Sequence, residues 1–260
     1  MNVPPDLRES TLWQAAGHGF EQLFRSAPGH DVIHVPGGML ALTGVSAPDL
    51  NCGVVWDAAD AAASIGHLAD ALCRRDLPGL LLVADSAGLE AGCDVADPGM
   101  IAAARMPLMM RAPGPLAADP RFTVRRVTMP RDLESANRVI SEAFELPAPL
   151  VDAAFRPSLL DSEDVTLEMV LDGEEPVGCL QTTSHDGLVG IWSMATPPAL
   201  RRRGIARAGL THALADRFAA GASAAFLIAT DAGRPLYDAL GFQVVAWCTA
   251  WLVPRCERRP

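Results

Sequence analysis

Residues 201–206, Arg201-Arg202-Arg203-Gly204-Ile205-Ala206, set three guanidinium groups beside a glycine and an alanine, and Arg207 follows at once. That combination suits a phosphorylated ligand. Guanidinium groups bind phosphate oxygens in pairs. A residue without a side chain lets the ligand reach the backbone. If a helix begins here, its unpaired N–H groups and the positive end of its dipole face the same anion. The stretch therefore reads as a cradle for a diphosphate. It is not a P-loop: GxxxxGK[ST] is missing, and all 21 basic residues are arginine. The missing lysine also excludes Schiff-base and pyridoxal-phosphate chemistry. Further on stands Tyr237, the chain's single tyrosine. An ordinary phenol, with a pKa of about 10, stays protonated at neutral pH, as a general acid must.

These groups need elements to hold them. Leu188 to Thr196 is an apolar run closed by Pro197-Pro198, which predicts a strand with an abrupt end. Arg201 to Ala206 opens a helix that carries Leu210, Leu214 and Phe218 on one face and stops at Gly221. Ala224 to Thr230 predicts a strand buried on both faces. Gly233 to Leu240 predicts a short helix bearing Tyr237.

The order strand, loop, helix, strand, helix, with both motifs at these places, resembles the GCN5-related N-acetyltransferase superfamily. Residues 201–206 resemble that family's R/Q-x-x-G-x-G/A loop, with Ala206 in the last position, and Tyr237 to Phe242 resemble its Y-x-x-L-G-F segment. The resemblance implies an acyl-CoA N-acyltransferase fold, a mixed and mostly antiparallel central sheet flanked by helices. It implies that the loop residues Arg201, Arg202, Arg203, Gly204, Ile205, Ala206 and Arg207 bind the pyrophosphate of acetyl-CoA. By position, the backbone of Met194, Ala195 and Thr196 pairs with the pantetheine arm. Thr230 stands where the family often has an asparagine that contacts the cofactor. Tyr237 either fills space behind Leu240 or, as the resemblance implies, protonates the departing thiolate. The general base is not identified. Glu142, Glu168, His185 and Asp186 fall toward the acceptor side by family position, and a water chain would also serve.

The chain has 260 residues and a net charge of −10. That balance argues against nucleic acid as a partner. It fits an amine substrate, and equally the ordinary need for solubility. No apolar run is long enough to span a bilayer, and MNVPPDLRES lacks the layout of a signal peptide. Cys52, Cys73, Cys93, Cys179, Cys248 and Cys256 form no CxxC pair and suggest reduced, mostly buried thiols in a cytoplasmic protein. The histidines show no metal-ligand spacing, so no metal site is expected. Trp192 and Trp56 read as core.

Along the first half, residues 6–27 read as one or two helices and 31–45 as a hairpin turning at Pro36-Gly37-Gly38. Asn51–Trp56 is a strand, Ala58–Arg75 a helix and Leu80–Ala84 a buried strand. Residues 86–96 are a short helix or irregular turn, and 100–111 a strand broken by Pro107. This order repeats that of the second half. Ala87-Gly88 after LLLVADS matches Ala232-Gly233 after FLIATD. Asp57-Ala58-Ala59-Asp60 replaces the arginine loop with carboxylates, and Tyr237 falls on Gly92. The first half therefore reads as a degenerate copy. Residues 112–120 form a Pro/Ala-rich linker, giving a degenerate domain over 1–115 and a catalytic domain over 116–260. In the second half Phe122–Thr128 is a strand, Asp132–Phe144 a helix capped by Asp132, and 147–160 an irregular helical stretch. Val165–Leu171 and Val177–Thr183 pair across Asp172-Gly173-Glu174-Glu175.

The expectation is two tandem acetyltransferase-like α/β copies, the second transferring acetyl from acetyl-CoA to a primary amine of a small molecule or peptide by direct attack. A monomer or homodimer is expected. The alternatives are a non-catalytic acyl-CoA-binding regulatory module and an enzyme using a longer acyl-CoA.

Overall fold

The structure, a computed structural model, describes residues 7–57, 59, 61–87 and 99–256. Ala58, Asp60, Gly88, Gly92 and Cys93, on which parts of the repeat and thiol readings rest, lie outside the described residues, as does most of 86–96.

The first half runs α1 (Glu9–Phe24), the hairpin β1 (Asp31–Val35) and β2 (Gly38–Leu42), β3 (Asn51–Val55), α2 (Ala61–Arg74), β4 (Gly79–Ala84) and β5 (Ile101–Arg111). The second runs β6 (Thr123–Arg126), α3 (Pro130–Phe144), α4 (Ala148–Ala154), β7 (Val165–Asp172), β8 (Glu175–His185), β9 (Leu188–Ala195), α5 (Ile205–Ala219), β10 (Ala224–Ile228), α6 (Arg234–Ala239) and β11 (Gln243–Val253). All strands join one 11-stranded sheet in the order β1-β2-β3-β4-β11-β5-β10-β9-β8-β7-β6. Among the described residues only β3–β4 and β9–β10 pair in parallel. The mixed, mostly antiparallel sheet flanked by helices is the one expected.

The middle of the sheet is interleaved. β11 lies between β4 and β5, and β5 lies between β11 and β10, all antiparallel. The last strand before residue 115 is thus hydrogen-bonded to strands of the second half on both edges. The sheet runs unbroken across the boundary placed at 115/116.

Side chains alternate across the sheet, as the period of two requires. Leu82 and Ala84 of β4, Leu108 and Met110 of β5 and Phe226 of β10 face one core, beneath α1, α3 and α4. Leu81 and Val83 face α2 on the other side, and Met109, Ala225 and Leu227 face α5 and α6 there. α1 spans the seam. Its Phe20 ring lies 4.8 Å from Trp192 of β9. Trp192 is core as expected, with its indole N–H donating to Thr183 Oγ1 at 2.8 Å.

Several local readings are corrected. β5 is continuous through Pro107, because the residue opposite, Trp247, pairs without needing its N–H, and the Pro107 carbonyl accepts the Ala229 amide at 3.0 Å. α3 begins at Pro130, with Met129 as its N-cap. Asp132 lies inside the first turn, and its carboxylate takes Arg125 at 3.1 Å through both oxygens. Residues 9–24 make a single helix. The thiols are not all reduced: Cys73 and Cys256 form a disulfide, while Cys52, Cys179 and Cys248 are free and buried. The thiol pattern therefore gives no support to a reducing compartment. No helix among the described residues is long and apolar enough to cross a membrane.

Candidate functional site

The site begins where β9 and β10 part. They pair only from Leu188–Gly190 to Ala224–Phe226. Beyond that, β10 is held on its other edge by β5, at Leu108–Arg111, and β9 by β8. The facing edge of β9 from Ile191 onward is left unpaired in a wedge. A bulge lies in this stretch. Trp192 pairs with Gln181 and Ala195 with Cys179, so two residues oppose one, and Ser193 takes φ 44°. The extra residue resets the alternation. Met194 therefore joins the α5 side and Ala195 the α3 core, which a regular strand would have reversed.

A cleft of about 750 Å³ fills the wedge, lined by Met194 and Thr196 on one wall and by Thr230, Gly233 and Tyr237 on the other. Arg201, Arg202, Gly204, Ile205, Ala206 and Arg207 close one end. The predicted residues thus meet around a single space, apart from Ala195 and Arg203, whose side chains are not on its wall. Sequence reasoning missed Ala143 and Phe144 at the end of α3 and Leu200, which also line it. Phe144 is apolar yet 49% exposed; only the structure shows that the exposure is at the cleft.

At the closed end, α5 starts at Ile205 and not within the arginine run. Gly204 sits at φ 92°, a left-handed conformation that a side chain would strain, and offers no side-chain cap. The first-turn N–H groups remain available to a ligand. The four arginines play different parts. Arg201 donates to the carbonyls of Thr196 at 3.2 Å and Ala143 at 2.9 Å. It fastens the loop to the C-terminal end of α3, where a cation is favoured. Among the described residues Arg203 donates only to the Ala199 carbonyl, at 3.5 Å. Arg202 and Arg207 face the cleft and have no carboxylate partner among the described residues.

Thr230 uses its side chain to shape the turn into α6: Oγ1 accepts the Gly233 amide at 3.2 Å. Tyr237 is 8% exposed and packs edge-on to Phe242, centroids 5.9 Å apart. Its ring fits because Gly233 has no side chain; a Cβ there would lie 3.0 Å from Cε2. Burial pushes the phenol up to about 12. Tyr237 is therefore protonated throughout the neutral range and able to donate.

The candidate bases are scattered. His185 and Asp186 lie 3.4 Å apart at the β8–β9 turn, roughly 20 Å of strand from the cleft end of β9. Glu168 is buried on β7 and lies near His212 and Asp216 of α5, along the flank of the helix away from its start. Burial pushes its carboxyl up to about 7. Arg217 and Arg126 oppose that rise, and the two guanidinium groups make the trio a poor seat for a cation. Glu142 is exposed on the last turn of α3, next to Ala143 and Phe144 of the cleft wall.

Residues 132–242, which carry the whole cleft, match the model of the acetyltransferase (GNAT) family. The fold is similar to that of a GCN5-related N-acetyltransferase from Kribbella flavida, with 20% identity, 94% of each chain covered and a TM-score of 0.68. It is also similar to a GCN5-related N-acetyltransferase from Sphaerobacter thermophilus, with 17% identity, 86% of this chain and 78% of that one covered, and a TM-score of 0.60. No curated protein sequence matches the chain. The match to the family model lies within the second half, and what the chain shares with these two structures is the fold. The likeness to the Kribbella protein extends over both halves.

Proposed function

We propose that the protein transfers an acetyl group from acetyl-CoA to a primary amine. One observation carries this: a single cleft has an uncapped helix start flanked by Arg202 and Arg207 at one end and the buried, protonated Tyr237 on its wall. In this reading the diphosphate rests on the first turn of α5, with Arg202 and Arg207 around it. The pantetheine arm runs along the unpaired edge of β9 at Met194, Ala195 and Thr196. The neutral amine attacks the thioester carbonyl, and a β9 N–H stabilises the oxyanion. The C–S bond then breaks, and Tyr237 donates a proton to the departing thiolate. The amine's surplus proton passes to solvent or to a base such as Glu142, and the phenolate is reprotonated from water.

The first half is read as a copy without this chemistry. It repeats the hairpin, the parallel strand pair and the helix between them, and Asp57 precedes its helix where the second half has arginines. One acetyl-CoA per chain is therefore expected. Isothermal titration with acetyl-, propionyl- and succinyl-CoA tests donor and stoichiometry together. CoA release in the presence of a mixed pool of primary amines tests transfer. Binding without amine-dependent release would favour a regulatory acyl-CoA module, and tighter binding of a longer acyl chain would change the donor.

A further inference from the structure

A second cavity, of about 660 Å³, adjoins the acyl-CoA cleft at the start of α5, and Arg202, Gly204 and Arg207 line both. Its other walls include Arg121, Arg203 and Asp172. Four guanidinium groups thus converge in a chain whose net charge is −10. Arg121 stands at the end of the linker between the halves. Its side chain lies against Gly204, so that a Cβ there would be 2.7 Å from Nη2. A guanidinium against the positive end of a helix, among three others, is electrostatically unfavourable unless an anion joins them. Asp119 supplies part of that charge, accepting from Arg121 Nε at 2.9 Å and Nη2 at 2.6 Å. It fixes the guanidinium in place and leaves Nη1 without a partner among the described residues.

We propose that Arg121, seconded by Arg203, binds the 3′-phosphate on the ribose of the acyl-CoA donor and makes that phosphate a condition of recognition. The inference rests on the acetyl-CoA reading above. The diphosphate takes the helix start in the main cleft, and the adjoining cavity is left for the other phosphate that CoA carries. A phosphate monoester brings a charge of about −1.5 to −2, enough to offset the arginines that Asp119 and Asp172 leave unbalanced. Donors lacking the 3′-phosphate, such as acyl-phosphopantetheine or a dephosphorylated acyl-CoA, would leave the cavity's charge unmet.

Titration of the full chain with CoA and with 3′-dephospho-CoA tests this. Wild type should bind CoA at least about tenfold more tightly. Arg121→Ala should bring the two affinities within about threefold by weakening CoA alone, and Arg121→Lys should restore part of the preference. Arg121 is exposed, so neither variant should disturb folding. Equal affinities in wild type, or a variant that weakens both ligands alike, would overturn the inference while the donor reading stands. Wild type that binds neither ligand would overturn both.

Discussion

The carbonyl oxygen of Pro107 accepts the amide hydrogen of Ala229 at 3.0 Å. This bond extends the pairing of β5 with β10 just past the point where β10 has left β9. The wedge that holds the candidate site is thus set by a strand from the first half. The first half thus shapes a cleft whose lining residues all belong to the second.

Separation of the halves should therefore fail. Residues 116–260 alone would lose β5, leaving β10 and β11 without the strand between them. Such a fragment should be insoluble or should not bind acetyl-CoA. Co-expression with residues 1–115 should recover a soluble complex, read by co-purification on a tag carried by one fragment. A soluble 116–260 fragment with the full chain's acetyl-CoA affinity would contradict this role for β5.

Charge reversal at Arg207 should separate binding from stability. Arg207 lies in the first turn of α5, where a carboxylate suits the helix dipole. Arg207→Glu should leave the melting temperature unchanged or raise stability by about 0.3–1 kcal/mol. Acetyl-CoA affinity should fall by on the order of tenfold to a thousandfold. A folded variant that keeps its affinity would remove the diphosphate from this end of the cleft.

Glu168 should give the protein a pH-dependent stability unconnected with catalysis. Burial raises its carboxyl to about 7 in the folded chain, above the ordinary value of about 4.3 expected when unfolded. Its folded form holds the proton more tightly, so its stabilising contribution is full below about pH 4 and is lost as pH rises through 7. Glu168→Gln should accordingly be more stable than wild type at pH 8, by on the order of 3–4 kcal/mol at most, and little different at pH 4. Thermal melts at the two pH values check this. Equal melting temperatures at pH 8 would show that Arg126 and Arg217 already neutralise the carboxylate.

The local order around the site was legible because its signals are local. Apolar runs mark β9 and β10, spacing marks the buried face of α5, and Gly204 and Tyr237 mark the end and the wall of the candidate cleft. What escaped depends on partners far away in the chain. The wedge follows from the exchange of β5 and β11, which no periodicity records. The bulge at Ser193 carries no glycine or proline to announce it. Arg201 looks like its neighbours in sequence, yet it is spent on the carbonyls of Thr196 and Ala143. Arg121 reaches Gly204 only because the linker returns across the start of α5. Pro107 was misread as a break because its missing N–H matters only if a partner carbonyl needs it. The disulfide joins the end of α2 to the chain's last described residue, and no spacing between two such cysteines predicts it.

The most direct measurement is the rate of amine-dependent CoA release by wild type and by Tyr237→Phe, with acetyl-CoA affinity measured on both. The substitution removes one hydroxyl and keeps the ring against Phe242 and Gly233. Wild type should release CoA faster when amines are present. Because the phenol is pushed up to about 12, Tyr237 should cause no loss of activity as pH rises from neutral to about 10. The variant should bind acetyl-CoA as wild type does and lose roughly 10²–10⁴-fold in kcat. Wild type that binds acetyl-CoA but shows no amine-dependent release would contradict the transferase account. A variant with full kcat on the same amines would withdraw Tyr237 as the acid.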